Sequence, residues 1–183
     1  LEDSTAGWLA MGFGLATLAV AAHSSAKSNK VDGVRAAVKH HTLSVKGSSK
    51  GDTIALRLKA GDPSRIQVDV GDNGAADFSF ARAEASTISV KGGNRNDSIR
   101  IDDANGAFTD SIPTTISGGG GNDSLEGGQL QVAAENETYK GGDGNDLVDG
   151  GKGNDTAYLG GGNDTFRWDN GEGSDVIEGQ DGT

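Results

Sequence analysis

Short runs of alternating apolar and polar residues, separated by turn residues, fill the chain from residue 34 to residue 116. Thr42–Lys46 (TLSVK), Thr53–Lys59 (TIALRLK), 65–70 (RIQVDV), 77–80, 87–91 (TISVK) and Ser98–Asp102 (SIRID) all show it. A period of two is the mark of a half-buried strand, since successive side chains leave opposite faces. Gly61-Asp62-Pro63, Gly71-Asp72-Asn73-Gly74, Lys91-Gly92-Gly93 and Asn105-Gly106 supply turn chemistry between the runs. No long helical pattern follows residue 30. The prediction is an all-β segment over 34–117, either a β-sandwich or irregular solenoid coils.

From residue 118 the period changes to nine. Residues 141–167 read GGDGNDLVD, GGKGNDTAY, LGGGNDTFR, with Asp146, Asp155 and Asp164 one period apart. Each triplet after the aspartate places its middle residue inward, namely Val148, Ala157 and Phe166. Upstream, 118–126 (GGGGNDSLE) fits with Asp123 and Leu125, and the degenerate 127–140 ends with Glu137 in the acid slot. Downstream, 170–178 (NGEGSDVIE) fits with Asp175 and Ile177, after the insertion Trp168-Asp169. GQDGT then opens another unit, so the chain is expected to stop inside a repeat. Two earlier stretches echo the pattern, 47–55 with Asp52 and 92–100 with Asp97. They carry Lys50 and Arg95 where the others have glycine, so packing rather than a metal is expected to hold them.

Glycine loses the most backbone entropy on ordering, so it is used where a tight turn needs positive φ. Such turns expose carbonyls, and an aspartate adds a carboxylate. Carbonyl and carboxylate oxygens together suit a hard cation that takes 6–8 oxygen ligands at roughly 2.3–2.6 Å. The pattern G-G-x-G-x-D-x-U-x resembles the calcium-binding repeat of the RTX (repeats-in-toxin, hemolysin-type) proteins. The resemblance implies a parallel β-roll (a β-solenoid) over 118–183, with Ca2+ held between turns of consecutive coils and repeats i and i+2 sharing an ion. The metal ligands it implies lie at Asp123, Gly142, Gly144, Asp146, Gly151, Gly153, Asp155, Gly160, Gly162, Asp164, Gly171, Gly173 and Asp175. Asp146 and Asp164 should flank one line of sites, while Asp155 should pair with Asp175 and with Glu137 on the other edge.

Charge sharpens this picture. The net charge is −11, but residues 1–60 hold eight Lys/Arg against four Asp/Glu, and residues 61–183 hold eight against 23. Such an acidic half attracts divalent cations and disfavours nucleic acid. Cysteine is absent, so neither disulfides nor thiolate metal sites are available. Neither H-E-x-x-H nor G-x-S-x-G occurs, nor a phosphate loop, so no enzyme activity is expected of these residues. His40-His41 reads as a solvated pair at a hairpin.

Residues 4–22 are uncharged and end in small residues, which predicts a signal peptide or anchor over 1–26, followed by a linker at 27–33. The expectation is a secreted or cell-surface calcium-binding protein whose acidic, glycine-rich coils order on binding Ca2+. The alternatives are the accessory region of an extracellular polysaccharide-modifying enzyme and a calcium-rigidified adhesin or matrix stalk. A polysaccharide or cell-surface partner would suit any of the three.

Overall fold

The structure, a computed structural model, describes residues 30–130 and 136–180. The expected signal or anchor segment lies outside the described residues. Fifteen strands follow one another among them: β1 (Lys30–Val31), β2 (Val34–Lys39), β3 (Thr42–Lys46), β4 (Thr53–Lys59), β5 (Asp62–Val70), β6 (Phe78–Ala81), β7 (Thr87–Asn94), β8 (Ser98–Asp102), β9 (Thr114–Gly120), β10 (Ser124–Glu126), β11 (Glu137–Asp143), β12 (Leu147–Asp149), β13 (Thr156–Gly161), β14 (Thr165–Arg167) and β15 (Val176–Gly179).

They form two sheets, ordered β1-β2-β3-β7-β9-β11-β13-β15 and β14-β12-β10-β8-β4-β5-β6. From β7 onward successive strands alternate between the sheets, as β3 and β4 do, so β3–β4, β7–β8, β9–β10, β11–β12 and β13–β14 are coils of one flattened solenoid. Every pairing between coils is parallel. The fold is all-β, and the roll extends well before residue 118. Strand β9 crosses the expected boundary at 117/118, and both sheets continue back to β3 and β4. Of the two readings of 34–117, solenoid coils are what the structure contains.

Two antiparallel additions sit at the early end. Strand β2 folds back on β3 through His40 and His41, whose φ angles of 47° and 60° match a two-residue hairpin turn with both central residues left-handed. On the other sheet β5 and β6 fold back from β4. The buried Arg57 on β4 reaches Asp69 on β5 at 2.9 Å, and Asp69 also accepts the N–H groups of Asn73 and Gly74.

Two turn signals were absorbed into strands. Asp62 and Pro63 open β5 next to a register shift, a position where proline costs no ladder bond. Strand β7 continues through Gly92-Gly93, because Gly93 still pairs with Gly119 of β9.

Two inward columns run the length of the core. Val45, Val90, Ile116, Tyr139, Ala157 and Ile177 stack across one sheet, and Ile54, Ile99, Leu125, Val148 and Phe166 across the other. All are buried except the last of each column: Phe166 is partly buried and Ile177 is 45% exposed. Strand β15 pairs only with β13 among the described residues, so nothing there covers Ile177.

Candidate metal centre

Five turns connect the first sheet to the second along one edge, and each ends in an aspartate: Asp52, Asp97, Asp123, Asp146 and Asp164. Parallel stacking at constant register puts these carboxylates in a single column. The backbone N–H of each donates to Oδ1 of the next: Asp52 to Asp97 at 2.7 Å, Asp97 to Asp123 at 2.7 Å, Asp123 to Asp146 at 2.8 Å and Asp146 to Asp164 at 2.9 Å. On the opposite edge Glu137 N–H donates to Asp155 Oδ1 at 2.7 Å and Asp155 N–H to Asp175 Oδ1 at 2.9 Å. Asparagine precedes every one of these acids except Asp52 and Asp175, and the asparagines form a second ladder running the other way, in which Asn122 N–H donates to Asn96 Oδ1 and Asn145 N–H to Asn122 Oδ1. The N–H of Asn163 likewise donates to Asn145 Oδ1, and that of Asn154 to Asn136 Oδ1 on the far edge.

In Asp97, Asp123, Asp146 and Asp155 one carboxylate oxygen is thus fixed, and the other is left over. The Oδ2 atoms of Asp97, Asp123, Asp146 and Asp155 are buried with no hydrogen-bond partner, as are both carboxylate oxygens of Glu137. A buried unpaired carboxylate is costly. Here the cost recurs in the turns of Asp97, Asp123, Asp146, Asp155 and Glu137.

The glycines shape the space around those oxygens. A Cβ on Gly92, Gly118, Gly141 or Gly150 would overlap the carboxylate of its own turn. Gly142, Gly144, Gly151, Gly153, Gly160, Gly162, Gly171 and Gly173 all hold positive φ, between 78° and 141°. Gly142 and Gly160 show why no side chain is tolerated. Each would drive a Cβ into a backbone carbonyl of the preceding coil, Gly119 O and Gly142 O respectively. Each turn therefore presents one carboxylate oxygen and closely stacked carbonyls. Among the described residues no cluster of three or more acidic or histidine side chains converges on one point. Any ion held here would take its acidic ligands one per turn.

The electrostatics agree. Burial pushes the Asp123 carboxyl up to about 6, with Asp146 and Asp97 adding to the shift. Asp97 and Asp146 are raised mainly by burial as well. On the far edge burial and Glu137 raise Asp155 to about 9, and burial raises Glu137. A raised carboxyl in the folded state means that the folded chain holds protons more tightly than the unfolded chain. Without a metal, order is therefore fully favoured below the ordinary carboxylate range and is lost as pH rises through the folded values, about 6 for Asp123. In chelator, circular dichroism should report more β-structure at about pH 4 than at pH 7.5, and added metal should reverse that trend.

The structure brings Asp146 beside Asp164, and Asp155 beside both Asp175 and Glu137. It also places Asp123 next to Asp146, a neighbour that sequence reasoning left unassigned. Asp52 and Asp97 join the same column, although both units were read as coils held by packing. They differ from each other. Asp52 Oδ2 accepts Ser48 N–H at 2.6 Å and its Oδ1 accepts Ser48 Oγ–H at 2.9 Å, so the chain satisfies that carboxylate itself. Asp97 keeps a buried, unpartnered Oδ2 like the later acids, and Arg95 is exposed. The available signal was the Asn96-Asp97 dipeptide, which matches Asn122-Asp123 and Asn145-Asp146.

A family model described as the RTX calcium-binding nonapeptide repeat (4 copies) matches residues 115–129 and 133–166. No curated protein and no solved structure matches the chain. Over those residues, then, the chain carries RTX calcium-binding nonapeptide repeats.

Proposed function

We propose that this chain is a secreted or cell-surface calcium-binding protein whose β-roll orders on binding Ca2+, a role in binding rather than catalysis. The buried, unpartnered Oδ2 atoms of Asp97, Asp123, Asp146 and Asp155, set in glycine-lined cradles, carry this reading. Bound calcium would supply the countercharge that the stacked carboxylates lack. The residues fit it: carboxylates and carbonyls are the hard oxygen donors calcium takes, and the flexible coordination of Ca2+ accepts one carboxylate per turn. Along one edge Asp97, Asp123, Asp146 and Asp164 would hold the ions, and along the other Glu137, Asp155 and Asp175. Asp52 stands outside the line because Ser48 already occupies it.

Without a countercharge the acidic coils repel one another and bury little apolar surface. Inside a cell, where calcium is scarce, they stay open and suited to export. Outside, where calcium is plentiful, the turns close. Affinity is expected near 10⁻⁴–10⁻³ M, roughly the range of extracellular calcium modules.

The test is a calcium titration followed by far-UV circular dichroism and calorimetry, with magnesium as control. A gain of β-structure selective for calcium is the expected result. Equal β-content in chelator and in calcium, with no heat of binding, would remove the reading.

A further inference from the structure

The outer face of the eight-stranded sheet carries charge of the opposite sign to the rest of the molecule. Cross-strand register places Arg35, Lys46 and Lys91 on adjacent strands, and Ser117 then Lys140 on the next two. All four cations are exposed. Among the described residues none of them forms an ion pair. Strands β2, β3, β7, β9 and β13 contain no Asp or Glu at all. In β11, Glu137 is buried and Asp143 sits at the far end. The row's one carboxylate is the exposed Glu178 of β15, two strands beyond Lys140 and separated from it by Tyr158. The other sheet is the contrast: Arg57, Arg100 and Arg167 are each paired with an aspartate. In a chain of net charge −11, a cation column free of carboxylates from β2 to β13 calls for an external anion.

A second column runs beside the first. Ser44, Ser89, Thr115, Thr138 and Thr156 are in register, one hydroxyl per strand. A shallow groove crosses this face, lined by Thr42, Thr87, Ser89, Lys91, Thr115 and Lys140. Strands lie about 4.8 Å apart, so the cations fall one or two strand spacings apart, about 4.8 or 9.6 Å, along a straight line. We infer that this face binds a linear anionic polysaccharide laid across the strands, with its carboxylate or sulfate groups on the cation column and its sugar hydroxyls on the Ser/Thr column. Nucleic acid fits less well. It carries about one charge per 1.7 Å, and single strands are held by stacking on aromatics. The only outward aromatic on these strands is Tyr158. An anionic membrane would also meet few apolar side chains to insert. The inference does not rest on the calcium reading, because the face is made by strands and the metal column by turns.

The test uses the full chain in saturating calcium, with short size-fractionated oligogalacturonate as the carboxylated probe and heparin oligosaccharide as the sulfated one. Dextran and duplex DNA serve as comparators. At least one anionic oligosaccharide should bind, dextran should not, and rising salt should weaken the binding. A Lys46→Gln, Lys91→Gln, Lys140→Gln variant should lose at least tenfold in affinity, while the calcium-dependent circular dichroism stays unchanged and Lys50→Gln, in a turn, stays native. The better-bound probe identifies the acidic group. If the triple variant does not order, single Lys91→Gln and Lys140→Gln variants should each weaken binding. No binding of either oligosaccharide, undiminished binding by ordered variants, or tighter binding of duplex DNA would overturn the inference.

Discussion

A variant carrying Asp123→Asn and Asp146→Asn is expected to be more ordered than the native chain in chelator at neutral pH, and to respond less to calcium. The amide keeps Oδ1, which accepts the N–H of Asp97 or Asp123 in the native ladder. It replaces the unpartnered Oδ2 with a neutral group. Leaving a neutral amide unsatisfied costs about 1–3 kcal/mol. A buried unpaired carboxylate costs more, about 3–5 kcal/mol when its partner is missing. In chelator the smaller cost wins and the roll tightens. In calcium the ranking reverses, since charged oxygen ligands have been removed. Thermal melts in chelator and in calcium, for both proteins, give four midpoints that decide it. A variant less ordered in chelator and equally responsive to calcium would mean that the carboxylates serve only the hydrogen-bond ladder.

Gly142→Ala is expected to abolish the order of β11 and every later coil, with or without calcium. Its φ of 120° carries a strain of order 1–3 kcal/mol for a residue with a Cβ. The larger effect is steric, because the new methyl overlaps the carbonyl of Gly119. That carbonyl is backbone, held in the ladder between β9 and β11, and cannot swing aside as a side-chain end could. The coils must separate, and the acid column separates with them. Gly61→Ala is the control. Its φ is also positive, at 71°, yet a Cβ there meets nothing within contact distance. About 1 kcal/mol of backbone strain is the whole expected cost. Hydrogen exchange of the β11–β14 amides separates the two variants. Equal protection in both would show that stacked glycine carbonyls are not what forbids side chains in these turns.

The sequence made the late coils legible because there the chain returns to each edge at a fixed interval. Asp146 and Asp164 are 18 residues apart, as are Glu137 and Asp155. Going back along the column, the spacing grows to 23, 26 and finally 45 residues. The β5–β6 hairpin and the 103–113 loop lie inside those longer circuits, so a nine-residue pattern cannot register the earlier coils although the stacking is the same. Ile177 obeyed the inward pattern yet is exposed, because periodicity says which way a side chain points and not whether a neighbour covers it. The lysine column was invisible for a related reason. Lys46 and Lys91 end similar strands, TLSVK and TISVK, and Lys140 also precedes a glycine, but only cross-strand register sets the three in one row.

The hairpins at the early end give assembly a direction. Each sheet starts there in antiparallel strands, and the outermost, β1 and β6, are only two and four residues long. Short edge strands make poor templates for further pairing. The coils next to them hold large apolar side chains, among them Leu43, Ile54, Leu56 and Ile88, and depend least on a countercharge. They form a seed with one blocked end. A solenoid gains stability by adding neighbours, so ordering should spread from β3–β4 toward β15. That is also the order in which a ribosome delivers the chain, and each coil would find its template already in place when it emerged.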